Sequence, residues 1–201
     1  MNISATILAA GSSSRMGKDN KLLLPIHGKP IINHVCDAVT HSKVKPVVVV
    51  TGYQNKKVED LLPESIDRVV YNKEWENGMA GSIGLGISSL PDTIDGNMII
   101  LGDMPLLTTE MIDKIADQFL EYKGKKIIYP VWEGVQYNPV IFPKIYFNEI
   151  LTSQGDQGCK ILIERLIDSA IGVPVDSSEV IFDCDTKDDY SLLISSDIKY
   201  V

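Results

Sequence analysis

Asp103, Asp185, Arg15 and Lys21 are the side chains whose types and setting could do chemistry. Asp103 stands in Gly102-Asp103-Met104-Pro105, directly after the apolar run Met98–Leu101. Asp185 stands in Asp183-Cys184-Asp185-Thr186, after a strand-like Val180–Phe182. In an open α/β sheet the carboxyl ends of the strands border the crevice where ligands bind. A hard carboxylate oxygen there suits Mg²⁺, which keeps several waters and borrows phosphate oxygens. Of the second acidic pair, only Asp185 is expected to face the crevice, with Asp183 capping the helix that Thr186 opens. The competing readings are a turn cap at Asp103 and a plain helix cap at 183–186.

The cations belong to a loop, Ala9-Ala10-Gly11-Ser12-Ser13-Ser14-Arg15-Met16-Gly17, with Lys21 shortly after. Small residues let several backbone N–H groups turn toward one anion, and the two cations add fixed charge beside it. The loop is neither a Walker A sequence nor GxGxxG: Gly11 and Gly17 are too far apart, and Asp19 follows Lys18 where Ser or Thr would be needed. A flexible connection carrying two solvated cations is the alternative. An anion cradle, two cations and two strand-end carboxylates together are what metal-assisted phosphoryl-type transfer requires. His27, His34 and His41 read as surface residues, so no Ser-His-Asp set is expected. An already anionic phosphate nucleophile would need no base.

These residues need strands to hold them. Ile3–Leu8, Pro46–Thr51, Asp67–Tyr71, Asn97–Leu101 and Lys125–Pro130 read as strands, mostly as buried apolar runs. Between them, helices are expected after Pro30, over Lys56–Leu62 and Gly81–Leu90, and over Thr108–Tyr122. That alternation predicts an α/β fold: a doubly wound, Rossmann-like, mostly parallel sheet with helices on both faces. From Val131 to Pro174 the rhythm changes to strand-like Val140–Phe142 and helical Lys144–Leu151 and Cys159–Ile167. The sheet pattern then returns at Val180–Phe182, and Thr186–Ser195 closes as a helix. The expectation is one domain over 1–201 with a small lid-like insertion at 131–174.

Composition narrows the function. Nineteen basic against 27 acidic residues give a formal charge of −8, which repels a nucleic-acid backbone and leaves small phosphorylated ligands open. The longest apolar run is too short to cross a bilayer, and the start lacks the marks of a signal peptide, so no membrane partner and a cytoplasmic location are expected. Cys36, Cys159 and Cys184 show no CxxC spacing and read as buried free thiols.

The opening loop with Leu22-Leu23-Leu24-Pro25, then Thr51-Gly52-Tyr53, Asn77–Ser82, Gly102–Pro105, Gly155–Gly158 and Asp183–Asp189, resembles in order the molybdenum cofactor nucleotidyltransferases. The resemblance covers nearly the whole chain. It implies that Ala9, Ala10 and Gly11 meet the nucleotide through backbone groups. Arg15 and Lys21 would bind its phosphates, Gly78, Met79 and Ser82 would lie near base and ribose, and Asp103 with Asp185 would hold Mg²⁺. Arg15, Lys21 and Asp103 are the catalytic candidates. Leu-Ala-Ala-Gly resembles the cytidylyl branch, where guanylyl relatives carry Leu-Ala-Gly-Gly, so the implied reaction moves CMP from CTP to the terminal phosphate of molybdopterin. A recipient molybdoenzyme is the further partner implied. The family often has Gly-His-Pro where this chain has Tyr137-Asn138-Pro139. Asn138 and Asp156 are the acceptor-side candidates, and Trp132, Tyr137 and Phe142 would suit stacking on a flat heterocycle. A sugar or polyol phosphate acceptor, GTP as donor, and a non-catalytic cofactor-delivery role stay open as alternatives.

Overall fold

The computed structural model describes residues 1–17, 19–152, 158–176 and 181–195. Its centre is β1 (Ile3–Ala9), all seven residues of which are buried. It is flanked by two further apolar strands, β4 (Val47–Thr51) and β6 (Gly96–Leu101), both parallel to it. Burying one Val or Ile side chain is worth about 1.5–3 kcal/mol. Strands covered on both faces therefore contribute a large share of the burial that holds the fold.

Among the described residues the sheet has eight strands, in the order β10-β7-β9-β6-β1-β4-β5, with β8 pairing β7. Here β5 is Arg68–Tyr71, β7 Ile127–Trp132, β8 Val135–Gln136, β9 Val140–Pro143 and β10 Ala170–Pro174. Only β9 and β8 run against the rest. β2 (Pro25–Ile26) and β3 (Lys29–Pro30) form a separate hairpin.

Two apolar clusters sandwich the sheet. One joins the sheet to α1 (Ile31–Thr40), α4 (Thr109–Glu121) and α7 (Lys187–Ser195). The other joins its opposite face to α3 (Met79–Ser88), α5 (Phe147–Leu151) and α6 (Gly158–Arg165). α2 (Asn55–Glu59) is a short connection between β4 and β5. α4 starts with a side-chain cap: the Thr108 hydroxyl accepts the Met111 N–H at 3.2 Å, as expected for an N-cap. No helix among the described residues is long and apolar enough to cross a membrane.

The doubly wound, mostly parallel sheet is as expected, and three details differ. The strand that follows α6 is Ala170–Pro174, parallel to β7. Ile181 and Phe182 are not in a strand, and Val180 lies outside the described residues. His34 is half-buried on α1, its Nε2 3.2 Å from the Ile26 carbonyl, rather than a surface residue. Phe142 is fully buried, and Trp132 and Tyr137 pack against the apolar core, so this trio does not form a stacking platform. Cys36 and Cys184 are buried free thiols, with burial pushing each up to about 12.

Candidate active site

From β1 the chain passes to β4 and β5 on one side, then returns to β6 on the other. The carboxyl ends of β1 and β6 therefore meet at the switch point, where open α/β sheets leave a crevice. A cleft of about 600 Å³ lies there. The loop after β1 lines it with Ala10, Gly11 and Ser12–Arg15, and the turn after β6 supplies Asp103. The entry to α3, from Trp75 to Met79 with Ser82, forms another wall.

Local bonds fix the loop. Ser13 takes the left-handed backbone, φ 56°, and its hydroxyl accepts the Lys21 N–H at 3.1 Å. Asn20, buried, accepts the Leu22 N–H and so starts the turn that carries Lys21. Opposite, a β-carbon on Gly52 would lie 2.6 Å from the Ala10 carbonyl and 2.7 Å from the Trp75 β-carbon, so only glycine lets these two walls approach.

At the cleft floor Lys21 bridges two carboxylates. Its ammonium pairs with Asp103 and lies 2.8 Å from Asp185 Oδ1. Arg15 reaches the other Asp185 oxygen at 2.7 Å. Burial alone would lower the Lys21 pKa, but Asp103 and then Asp185 outweigh it and hold the ammonium above its usual value. Burial would raise Asp185, yet the bonds and charges of Lys21 and Arg15 leave it below the ordinary carboxylate range. Backbone chemistry holds the two acidic segments together: the Cys184 N–H donates to the Asp103 carbonyl at 2.9 Å.

The helix cap expected of Asp183 is made by Asp189 instead. Its carboxylate accepts the Thr186 N–H at 2.7 Å and the Asp185 N–H at 3.0 Å, and the Thr186 hydroxyl accepts the Asp189 N–H at 3.2 Å. That reciprocal pattern is a capping box. Asp183 and Asp185 both line the cleft, against the expectation that only one would. Two residues apart in an extended segment share a side.

Asp183 therefore sits beside like charges. Burial, then Asp103 and Asp185, pushes its carboxyl from 3.8 up to about 7. A carboxyl raised in this way stabilises the fold fully below 3.8, and that contribution is lost as pH rises through about 7. Ionised, it costs the folded chain up to about 4 kcal/mol. Asp183→Asn is expected to raise the thermal midpoint most at about pH 8, by less than half as much at about pH 5, and little below 3.8. Melting curves with an equal change at all three would show that the carboxyl has no such environment.

The cleft brings together Ala10, Gly11, Arg15, Lys21, Gly78, Met79, Ser82, Asp103 and Asp185 of the expected residues. Ala9 is buried at the end of β1 and does not line it, and neither does Asn138. Asp156 lies outside the described residues. Sequence reasoning missed Asp183, Trp75, Glu76 and Asn77 on the lining, and Asn72, whose amide donates to Ser82 at 2.9 Å. A polar residue directly after a strand, as Asn72 follows β5, was the available signal.

Residues 5–170 match the MobA-like NTP transferase domain. The chain belongs to that family. This MobA-like chain is 33% identical over 135 residues to a probable molybdenum cofactor guanylyltransferase of Thermococcus sibiricus, covering 67% of this chain and 64% of that protein. It is 33% identical over 123 residues to the bifunctional protein GlmU of Symbiobacterium thermophilum, covering 60% of this chain and 26% of GlmU. It thus spans about a quarter of the length of the GlmU relatives it matches. Rv0371c of Mycobacterium tuberculosis H37Rv has the same fold, with a TM-score of 0.85 at 24% identity over 98% of this chain and 99% of that one. The same mycobacterial protein has been solved in complex with manganese, with a TM-score of 0.81 at 22% identity over 98% and 100% of the two chains.

Proposed function

We propose that this chain is a Mg²⁺-dependent nucleotidyltransferase that moves CMP from CTP onto the terminal phosphate of molybdopterin and releases pyrophosphate. It acts in the cytoplasm and hands its product to a molybdoenzyme. The observation that carries the reading is the Lys21 bridge between Asp103 and Asp185, closed by Arg15 at one mouth of the cleft.

The donor set suits a hard divalent ion. One oxygen each of Asp103 and Asp183 is buried without a hydrogen-bond partner, a costly arrangement unless something else occupies it. No cluster of three or more metal-ligating side chains occurs among the described residues. Mg²⁺ asks for only one or two carboxylates when phosphate oxygens complete its shell. Asp103 and Asp185 would hold it, and the bound ion would neutralise phosphate charge.

The protein's own groups do the rest. Backbone N–H groups of Ala10 and Gly11 and the loop hydroxyls receive the phosphates. Lys21 and Arg15 move from carboxylate to phosphate oxygens and stabilise the charge that builds there. Among the described residues the cleft lining contains no histidine or cysteine, and a phosphate nucleophile would bring its own charge. The Ala10 methyl takes space at the wall that a glycine would leave open, which favours the smaller pyrimidine. Segment 131–174, with Asn138, would flank the acceptor.

Two observations favour second readings. The guanylyltransferase relative favours GTP as donor. The burial of Phe142 removes part of the stacking surface for a pterin and favours a sugar or polyol phosphate acceptor. Pyrophosphate release decides among them, using the protein with Mg²⁺, each of CTP and GTP, and molybdopterin or a sugar phosphate. CTP with molybdopterin is expected to give the fastest release. Release with only the sugar phosphate would move the acceptor assignment, and none with any pair would end the transferase reading.

A further inference from the structure

Three polar side chains, Ser4, Thr6 and Asn97, are fully buried in the mostly apolar β1 and β6 and do not line the cleft. They satisfy one another. The Ser4 hydroxyl donates to Asn97 Oδ1 at 2.9 Å, and Asn97 Nδ2 donates to Thr6 Oγ1 at 3.0 Å. With its hydroxyl held there, the β-branched Thr6 has one rotamer open to it, and its methyl is fixed in place.

That methyl meets α3 at Gly86. Gly86 is buried in the helix interior, where glycine is a poor helix former. A β-carbon on it would overlap the Thr6 methyl and lie 3.0 Å from Oγ1. Only glycine lets the helix lie this close to the strand.

From this contact both segments run to the cleft. β1 leads on to Ala10, about 13 Å away along the strand direction. α3 leads back to Met79, about 10 Å away along the helix axis. Ala10 and Gly11 line one wall, and Met79 and Ser82 another. A close-packed interior passes a displacement on rather than absorbing it, so separation at the contact fixes separation of the walls.

We infer that the Thr6–Gly86 contact, locked by Ser4 and Asn97, sets the width of the cleft and thereby the size of base it accepts. Thr6 and Gly86 are positioning residues, acting through the walls. The inference rests on the proposed function only in taking an NTP as the ligand.

The test reads the ratio of CTP to GTP affinity from nucleotide-induced thermal shifts, with Mg²⁺ and no acceptor. Gly86→Ala forces α3 off the sheet and is expected to move the ratio toward the larger purine by about fivefold or more. Thr6→Ser keeps the hydroxyl, removes the methyl and lets α3 settle closer, so the ratio should move about threefold toward CTP. The double variant removes the overlap, and its ratio should return to within about twofold of wild type. A purely structural role would lower the melting temperature and weaken both nucleotides equally. A ratio left at the wild-type value in the two single variants would therefore overturn the inference. Should Gly86→Ala alone not fold, an unmoved ratio in Thr6→Ser overturns it. A wild type that bound neither nucleotide would overturn the proposed function as well, whereas binding with an unmoved ratio sinks this inference alone.

Discussion

Asp103→Asn is expected to lower turnover by about 10³-fold or more while the chain still folds. The substitution keeps the shape of the side chain and removes the charge. Asp103 is held at the end of β6, with Lys21 on one oxygen and nothing on the other. The amide leaves the strands and the β1 loop untouched, so the melting transition should stay cooperative. Cation binding should fall with turnover: Mn²⁺ titration in the presence of nucleotide should show weakened binding in the variant. Pyrophosphate release within a few-fold of wild type would remove Asp103 from the chemistry, whatever else the cleft does.

Lys21→Ala should lower kcat/KM for the nucleotide by about 10²- to 10³-fold. Its effect on stability should be smaller, on the order of 1–3 kcal/mol, because the ammonium is still 14% exposed and water can partly replace it. The sign of the metal effect separates two meanings of that loss. Without Lys21, Asp103 and Asp185 face each other with only Arg15 for compensation, and Mg²⁺ should stabilise the variant more than wild type. Thermal melts with and without Mg²⁺ check this, and steady-state kinetics check the first part. Unchanged kinetics would return Lys21 to a structural ion pair.

Much of this was legible because the chemistry sits where strands stop. β4 is almost wholly apolar, and β1 and β6 are broken only by the mutually hydrogen-bonded Ser4, Thr6 and Asn97, so such runs are visible without knowing their partners. The residues just beyond them, Ala10, Gly11 and Asp103, inherit their positions from the sheet. What escaped notice depends on contacts between distant segments. β10 reads Ala-Ile-Gly-Val-Pro, with a glycine at its middle, and looks like a loop. A β-carbon on Gly172 would lie 2.4 Å from a methyl of Val131 on the neighbouring strand, so the glycine is demanded by a partner the local sequence does not reveal. Trp132, Tyr137 and Phe142 looked suited to a ligand because aromatic residues serve cores and sites alike. The cap expected of Asp183 is made by Thr186 and Asp189 together, and capping boxes are hard to place where acidic residues cluster.

Asp183 and Asp185 lie outside the sheet and lead directly into α7, so the acidic half of the cleft is placed by that helix. Among the described residues its anchors are the Cys184 amide on Asp103, the Lys21 and Arg15 pairs to Asp185, the Tyr190 hydroxyl on the Pro25 carbonyl, and the seating of Ile181, Cys184 and Leu193 in the apolar layer. Detaching that one helix takes less free energy than unfolding the sheet. A partly opened molecule would keep its anion cradle and lose two of three carboxylates at a stroke, holding phosphate but no longer balancing its charge. Warming should therefore silence catalysis before the far-ultraviolet dichroism of the remaining fold declines.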